Sequence, residues 1–393
     1  MAFGDLSPVT SDPVLALMGR FRADVRPRKM DLGVGVYRDP QGNTPVFAAV
    51  KAAEQHLAGA QSTKSYLGSE GDPEFVQLLA AEAFAWTGVA GLQTVGGTGA
   101  LRLAADLLAR SQPGRRIWLG TPTWPNHGPI FAASRLEVAI VDLLDPSTQQ
   151  YRHDVFLHAL GGAAAGDAVL LHGCCHNPTG VQPDLSFWEA AAEVIAARGL
   201  VPLVDIAYQG LGRGWLEDSA GLRLLARRVP RLLAAYSCDK NFGLYRDRVG
   251  ALFVTGANPG ETNLLLGHLV ALARANYSMP PDHGAAVVHS ILADADLGRS
   301  WRAELDGMRT RIRHLRAALA RHGRIGAVDL GPLADGQGMF ALLPLSVAQI
   351  DMLQSEHGIY MAHSGRINIA GLAEEQVDRF VDALTAVQHK NAA

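Results

Sequence analysis

The chain has 393 residues, 48% of them hydrophobic, which is enough to bury a large core and to form two or three structural units. Its 35 Lys and Arg nearly balance 38 Asp and Glu, and without a basic block we expect no nucleic acid and no membrane partner. No apolar run of about 18 residues and no leader-like N-terminus is seen. The balanced charge favours a small-molecule substrate, and the chain is expected to be cytoplasmic, a compartment that its 3 cysteines fit because they form no disulfide framework.

Helices and strands alternate through most of the chain. The first predicted element is a helix that Asp12 and Pro13 open and that runs through Phe21. Between about residues 91 and 255, short apolar runs alternate with helical stretches, which is typical of a mostly parallel sheet covered by helices on both faces. The predicted strands are 117–119, 169–172, 203–205, 232–236 and 251–254.

The last third of the chain has a different pattern. Arginine and apolar residues at helical spacing predict a long helix over 300–321. Short strands over 339–343, 359–361 and 367–370, followed by a helix over 374–387, predict a second, smaller α+β unit.

One lysine, Lys240, follows the apolar run 232–235, and Arg248 lies a short distance further on. A lysine in this position can form a Schiff base, and the cofactor that uses one and needs a cationic clamp for its phosphate is pyridoxal phosphate (PLP). Ser237 and Arg248 are then predicted phosphate ligands, since a guanidinium suits bidentate phosphate contact. The alternative is an ordinary surface lysine after a core strand.

Polar residues end two of the predicted strands. Asp205 directly follows an apolar run, where a parallel sheet presents its site residues, and such a carboxylate can hold a pyridine nitrogen protonated. Tyr208 and Asn177 could both reach the phenolic oxygen of the same ring. A helix N-cap followed by a core aromatic is the alternative for Asp205 and Tyr208.

Two further segments are suited to anions. The glycine-rich turn at 96–99 opens an amphipathic helix whose free N–H groups could bind a phosphate, although it lacks the spacing of the Walker and dinucleotide motifs. Arg366 lies in an apolar stretch, and a substrate carboxylate is one candidate partner. The cluster of His172, Cys174, Cys175 and His176 is not expected to bind a metal, because neighbouring residues of a strand point to opposite faces.

Together these segments resemble the fold-type I PLP-dependent aminotransferases, specifically the aspartate/aromatic (tyrosine) aminotransferase subfamily. The resemblance rests on 31–37, 66–68, 96–102, 124–127, 176–180, 240–245 and 274–278, and extends from about Asp12 to the last helix. It implies an α/β fold with a mostly parallel seven-stranded sheet between helices. It also implies a large PLP-binding domain over 45–302, a small domain of 1–44 with 303–393, and a homodimer.

The same resemblance implies a role for each site residue. Lys240 would carry the Schiff base, Asp205 would pair with the pyridine nitrogen, and Tyr66 and Arg274 would reach the neighbouring subunit's site. His127 and His172 would support Asp205. The implied catalytic residues are Lys240, Asp205 and Tyr208; the cofactor-binding residues are Gly97, Thr98, Trp124, Asn177, Asp205, Tyr208, Ser237, Lys240, Arg248 and Tyr66; and the substrate-binding residues are Gly35, Trp124, Asn177, Arg274 and Arg366.

The implied reaction moves the amino group of an aromatic amino acid to 2-oxoglutarate, with some activity on aspartate and glutamate. The segments 277–288 and 357–361 look like the bacterial aromatic branch, and Met279 stands where aspartate enzymes usually carry a polar residue. Met279 could equally serve packing, and Arg274 could bond helix-end carbonyls, so an aspartate aminotransferase is the alternative. Two residues depart from the family: Asp239 stands where serine is usual, and Ser65 replaces an asparagine common in the aspartate enzymes.

Other classes of protein fit less well. A nicotinamide dehydrogenase would need a glycine fingerprint after its first strand, which this sequence lacks. A PLP-binding regulator would usually carry a DNA-binding module, for which the resemblance leaves no room. A PLP lyase or decarboxylase on the same fold is the main chemical rival.

Overall fold

The computed structural model describes residues 13–145 and 150–390, so Asp12, the predicted opening residue of the first helix, lies outside the described part. The contacts divide the chain into two compact units. The larger unit comprises Thr44–Arg313 and Gly336–Met339, and the smaller unit comprises Met1–Asn43, His314–Asp335 and Phe340–Ala393. The predicted domains, 45–302 and 1–44 with 303–393, differ from these units at residue 44, at 303–313 and at 336–339. As functional domains they stay a prediction.

Helices and strands alternate along most of the described chain. The helices are α1 (Pro13–Ala23), α2 (Ala48–Ala60), α3 (Pro73–Phe84), α4 (Gly96–Ser111), α5 (His127–Ala133), α6 (His153–Leu160), α7 (Leu185–Arg198), α8 (Trp215–Asp218), α9 (Ala220–Arg228), α10 (Pro259–Asn276), α11 (His283–Ala293), α12 (Ala295–Ala320), α13 (Val347–His357) and α14 (Val377–Lys390). The strands are β1 (Met30–Asp31), β2 (Ala90–Val95), β3 (Arg116–Thr121), β4 (Glu137–Asp142), β5 (Ala168–His172), β6 (Val201–Ile206), β7 (Leu232–Ser237), β8 (Val249–Thr255), β9 (Arg324–Ile325), β10 (Val328–Asp329), β11 (Phe340–Leu342), β12 (Ile359–Tyr360) and β13 (Arg366–Asn368).

A seven-stranded sheet forms the centre of the larger unit, in the order β2-β8-β7-β6-β5-β3-β4. Its β8 strand pairs antiparallel with both neighbours and the other pairs are parallel, so the predicted mostly parallel seven-stranded sheet is confirmed. All five predicted strands are present, as β3, β5, β6, β7 and β8. The prediction missed β2, which contains glycine and two polar residues, and β4, an edge strand that is largely exposed.

The strand directions determine where the polar residues gather. His172 at the end of β5 lies in register with Asp205 of β6, and Ser237 at the end of β7 lies in register with Gly250 of β8. Because β8 runs the opposite way, its first residues lie at the same edge of the sheet as the last residue of β2, from which α4 begins. The carboxyl ends of the parallel strands, the start of α4 and the start of β8 therefore meet at one edge of the sheet.

Local sequence explains several helix ends. Asp72 caps α3 by accepting hydrogen bonds from the backbone N–H groups of Glu74 and Phe75, with Pro73 in the first turn. Asp184 caps α7 in the same way, and α7 ends at Gly199, whose φ of +64° favours glycine. Helix α4 packs its apolar face, including Leu101 and Leu108, into the core below the sheet.

Three small two-stranded sheets, in which β1 pairs with β12, β9 with β10 and β11 with β13, belong to the smaller unit. Met30 and Leu32 lie in its core together with C-terminal residues such as Ile359 and Ile367. The predicted strand 367–370 extends only to Asn368, because a 3-10 helix begins at Ile369. Within residues 13–145 and 150–390, no helix combines the length and apolar character needed to cross a membrane.

Candidate active site

A cavity of about 180 Å³ lies in the larger unit at the sheet edge just described. Polar and charged side chains dominate its wall, together with the glycine turn that opens α4. Nine of the ten predicted cofactor-binding residues line it, namely Gly97, Thr98, Trp124, Asn177, Asp205, Tyr208, Ser237, Lys240 and Arg248. His172 and Asp239 complete the polar lining.

One end of the cavity, which we call the phosphate cup, consists of Gly96, Gly97, Ser237 and Arg248. A Cβ atom on Gly97 would lie 2.9 Å from Ser237 Cβ, and one on Gly96 would lie 2.7 Å from Arg248 Nη2, so only glycine allows this close approach. Val95 at the N-cap has no side-chain acceptor, which leaves the first N–H groups of α4 available to an anion. Backbone donors, a hydroxyl and a guanidinium around a small turn are the groups that bind a phosphate, so the cup fits that part of PLP.

Arg248 is held in the cup by two contacts. Its Nη1 donates to Asp239 Oδ2 at 2.7 Å and to the carbonyl oxygen of Tyr245 at 3.0 Å. Its backbone φ of +58° lies in the left-handed region, which costs a non-glycine residue about 1–2 kcal/mol. The cation that the sequence predicts for the phosphate therefore already has a carboxylate partner.

Lys240 lies in the cavity wall, and its side chain is 19% exposed. Its Nζ is 3.9 Å from Asp239 Oδ2 and 5.3 Å from the centroid of the Tyr208 ring. Burial lowers the pKa of Lys240 below its ordinary value, and the charge of Arg248 acts in the same direction, while Asp239 and Asp205 oppose the shift. A lysine whose pKa is lowered supplies a neutral amine more readily, as a nucleophile or a general base must.

The opposite end of the cavity, which we call the ring end, is built around Asp205. His127 Nε2 donates to Asp205 Oδ2 at 3.1 Å, because a carboxylate can only accept. Burial by itself would raise the pKa of Asp205, but opposing effects, of which the hydrogen bond from His127 is the largest, outweigh it, and the pKa is lowered. The carboxylate is thus kept charged, as the partner of a protonated ring nitrogen must be.

Thr123 connects two histidines behind Asp205. Its Oγ1 lies 2.8 Å from His127 Nδ1 and 2.8 Å from His172 Nε2. If His127 is neutral, its Nδ1 accepts the Thr123 hydroxyl proton, and the hydroxyl oxygen accepts N–H from His172. Burial lowers the pKa of His172 to about 3, and the neighbouring His127 adds to that shift. The predicted support of Asp205 by His127 is a direct contact, while His172 acts through Thr123, a residue that the prediction missed although it follows β3 at the same sheet edge.

Asn177 and Tyr208 meet at the side of the cavity. Asn177 Nδ2 lies 3.2 Å from Tyr208 Oη, and both residues are buried. Trp124 packs edge-on against His127 with ring centroids 5.2 Å apart. An amide and a phenol side by side could both bond one ligand oxygen, as the sequence predicts for these two residues.

Tyr66 and Arg274 are not among the described residues that line the cavity. Tyr66 is 94% exposed. Arg274 is also exposed, and its Nη1 donates to Ser278 Oγ at 2.6 Å. Their predicted roles place them in a neighbouring subunit's site, and those roles stay predictions.

The predicted carboxylate site belongs to the smaller unit. Arg366 is buried, its Nη2 donates to the carbonyl oxygen of Gly33 at 2.7 Å, and its guanidinium lies 4.6 Å from the centroid of the Phe340 ring. A Cβ atom on Gly35 would lie 2.9 Å from Phe340 Cζ, so a larger residue there would disturb the ring beneath the guanidinium. The binding of a substrate carboxylate by Arg366 and Gly35 stays a prediction.

Two thiols and a carboxylate come close together near the site, those of Cys174, Cys175 and Asp218, with ligand atoms within 4.8 Å of one another. Asp218 is engaged by the loop that follows Tyr208, since its oxygens accept N–H from Gly210 and Gly212, each at 2.9 Å. The hydrogen bond with Cys175 and burial raise the pKa of Cys174, which disfavours the thiolate that a metal needs. His172 and His176 take no part in this cluster.

Known proteins resemble the chain over almost its full length. The family described as "Aminotransferase class I and II" matches residues 27–384. The chain is 51% identical over 389 residues to the tyrosine aminotransferase of Rhizobium meliloti (strain 1021), covering 98% of this chain and 100% of the relative. It is 41% identical over 394 residues to the aspartate aminotransferase of Escherichia coli (strain K12), covering 98% and 100%.

A solved structure has the same fold. The aromatic-amino-acid aminotransferase from Burkholderia pseudomallei, covalently bound to pyridoxal phosphate, matches with a TM-score of 0.93 and 36% identity. The match covers 99% of this chain and 100% of that protein. Because the match covers 99% of the chain, the similarity includes both units and not only the seven-stranded sheet.

Proposed function

The chain belongs to the class I and II aminotransferase family, and we propose that it is a PLP-dependent transaminase that moves the amino group of tyrosine, phenylalanine or tryptophan to 2-oxoglutarate. Aspartate and glutamate are weaker amino donors in this proposal. The observation that carries it is the cavity in which Lys240, with its lowered pKa, lies between a phosphate cup and the charged Asp205. The resemblance to the aspartate/aromatic subfamily is confirmed by the tyrosine and aspartate aminotransferases among the relatives.

Each polar residue of the cavity has a separate proposed role in the reaction. PLP, when bound, supplies an aldehyde that condenses with amines and a ring that takes up the electron pair of an amino acid α-carbon. Lys240 Nζ would take the α-proton of the amino acid and deliver it to the cofactor carbon that carried the aldehyde, a role that its lowered pKa supports. Asp205 would hold a proton on the ring nitrogen, and Asn177 and Tyr208 would bind the ring oxygen.

The cofactor assignment has a direct test. The purified protein is expected to show visible absorption after incubation with PLP, and the spectrum should change when an amino acid is added. Lys240→Ala should fold and lose turnover, because the aldehyde of PLP can still condense with an added amino acid but the base that moves the α-proton is missing. Exchange of amino groups by Lys240→Ala at a rate comparable to the parent would show that Lys240 is not the base.

The substrate preference depends on Arg274, the residue proposed to bind a side-chain carboxylate. Arg274→Ala should cost aspartate and glutamate about 2–4 kcal/mol in transition-state binding, because a charge-assisted bidentate contact is lost. Phenylalanine should lose far less, since its ring never pairs with the charge. The measurement is kcat/KM for aspartate, glutamate and phenylalanine.

Arg110→Ala provides the matched control, because Arg110 is likewise an exposed arginine in the last turn of a helix. It should change none of the three values. A parent that prefers aspartate over phenylalanine by about a hundredfold, or about 2.7 kcal/mol, would make the protein an aspartate aminotransferase instead.

We also propose that the working unit is a homodimer whose sites each borrow Tyr66 and Arg274 from the neighbour. The high exposure of both side chains in the single chain supports this assignment. Mixing Tyr66→Phe with Arg366→Ala should restore activity, because one site of the mixed dimer then contains neither change. Mixing Arg366→Ala with Lys240→Ala should not, since both changes stay within their own subunit's site. Lack of recovery in the first mixture after subunit exchange would contradict shared sites.

A cytoplasmic location is also a proposal. Its support is that Cys174, Cys175 and Cys238 are all free and buried, as expected for a protein of a reducing compartment.

A further inference from the structure

Asp239 is an unusual neighbour for a phosphate. Its carboxylate lines the cavity, is only 10% exposed, and has Oδ2 at 2.7 Å from Arg248 Nη1 and at 3.9 Å from Lys240 Nζ. Among the described residues, its other oxygen, Oδ1, is buried and has no hydrogen-bond partner. A buried carboxylate is therefore held in the cup mainly by the cation that a phosphate would also bind.

Asp239 affects anion binding by Arg248 in two opposite ways: its hydrogen bond orients the guanidinium, and its negative charge compensates the charge of that group. Its hydrogen bond engages Nη1, while Nη2 of the same guanidinium lies beside Gly96 at the start of α4. That arrangement leaves one edge of Arg248 at the glycine turn, where an anion would lie. The negative charge of Asp239, however, compensates the guanidinium charge and repels an incoming anion at short range.

The charge of the phosphate determines which of these two effects on anion binding is larger. A phosphate ester carries a charge of about −1.5 to −2 near pH 7. The other nearby cation, Lys240, lies outside the four residues of the cup, and its Nζ is itself 3.9 Å from Asp239 Oδ2, so it does not replace the compensated charge of Arg248. The hydrogen bond to Nη1 could be made equally well by a neutral amide or hydroxyl oxygen, whereas only a carboxylate brings the repulsion.

We propose that Asp239 is a built-in counter-anion of the phosphate cup, a positioning residue that acts through Arg248 and makes the cofactor phosphate compete for the guanidinium. The cup then holds the phosphate of PLP more loosely than its backbone and arginine donors would otherwise allow. The inference rests on the proposed function, because it concerns how this cavity binds PLP.

The test measures binding rather than turnover. Dissociation constants of PLP, of pyridoxal, which lacks the phosphate, and of inorganic phosphate are measured on the full-length protein freed of cofactor. The variants are Asp239→Asn, which keeps an oxygen for Arg248 Nη1 but removes the charge, and Asp239→Ser, which is smaller. The ratio of the pyridoxal constant to the PLP constant cancels any change in the Lys240 amine, because both compounds react with it.

Both variants should raise that ratio at least tenfold, and inorganic phosphate should bind more tightly as well. Asp247→Asn is the matched control, since Asp247 immediately precedes Arg248 in sequence, and it should leave the ratio within twofold of the parent. An unchanged or lower ratio in both Asp239 variants, with PLP still bound, would overturn the inference alone. Failure of the parent itself to bind PLP would overturn the proposed function, and this inference with it.

Discussion

The two ends of the cavity each contain an aspartate, and the partners of those aspartates differ. At the ring end, Asp205 accepts a hydrogen bond from His127 at 3.1 Å, an imidazole that can donate without carrying a charge. At the phosphate cup, Asp239 pairs at 2.7 Å with Arg248, which is permanently charged. Asp205 can therefore offer its charge to a ligand cation, while the charge of Asp239 already compensates a protein cation.

Residue type and position at the sheet edge therefore do not by themselves distinguish the two aspartates. Asp205 is the last but one residue of β6, and Asp239 follows β7 by two residues, so both lie near one sheet edge. The neighbouring elements at that edge supply the partner of each one. For Asp239 the neighbour is β8, whose start brings Arg248 into the cup.

The largest effect is expected at the ring end. Asp205→Asn should lower kcat/KM for phenylalanine by about 100- to 1,000-fold, because it removes the charge that holds a proton on the cofactor nitrogen. Asp239→Asn should change kcat/KM for phenylalanine much less than Asp205→Asn does when PLP is saturating. Steady-state kinetics at several PLP concentrations measure both variants. Equal losses in the two would mean that the carboxylates are not functionally distinct.

A smaller effect concerns the histidines behind Asp205. His172 has a pKa of about 3 in the folded protein against an ordinary value of 6.5, so the unfolded chain binds its proton first as the pH falls. The contribution of neutral His172 to the free energy of unfolding is therefore fully present above pH 6.5 and is lost progressively down to about pH 3. At pH 5 the loss is about 2 kcal/mol in the free energy of unfolding.

His172→Gln should remove this part of the acid sensitivity. Denaturant unfolding at pH 5 and at pH 7.5 measures it, with His389→Gln on α14 as a control histidine whose change should have no such effect. If the free energy of unfolding differs between pH 5 and pH 7.5 by as much in His172→Gln as in the parent, His172 does not remain neutral in the folded protein.

The smallest effect concerns Lys240, which lies between the two aspartates. Its pKa is lowered in the folded protein, chiefly by burial, so protonation favours the unfolded chain. Lys240→Met should therefore raise the free energy of unfolding by about 1 kcal/mol near pH 7, within the range of other stabilising changes at functional sites.

The pH dependence separates this cause from simple packing. The destabilising contribution of Lys240 is full below its lowered pKa and vanishes as the pH rises past 10.5, where the lysine is neutral in both states. The increase in the free energy of unfolding caused by Lys240→Met should therefore shrink as the pH rises from the lowered pKa of Lys240 to 10.5. A gain that stays constant between pH 7 and pH 10.5 would point to packing of the methionine instead.

Local pattern predicted the parts of this protein that depend on near neighbours in the chain. Apolar runs predicted five strands of the sheet, because burial on both faces requires continuous hydrophobic residues. The glycines at 96–99 predicted the turn that opens α4, and the strand-end positions of Asp205 and Lys240 predicted that they would lie at one site. The strand β4 was missed because an edge strand keeps a mixed, partly exposed surface.

The sequence by itself thus determined the fold class, the family and nine of the residues that line the cavity, because short segments of the chain contain them. Only the tertiary structure decided which side chains pair. The bond between Asp239 and Arg248 joins the two ends of the connection between β7 and β8, and the bridge from His127 through Thr123 to His172 joins the segment after β3 to the end of β5. Such pairings follow from the order and direction of strands in the sheet, and hydrogen bonds and charges act over a few ångströms of space rather than along the chain.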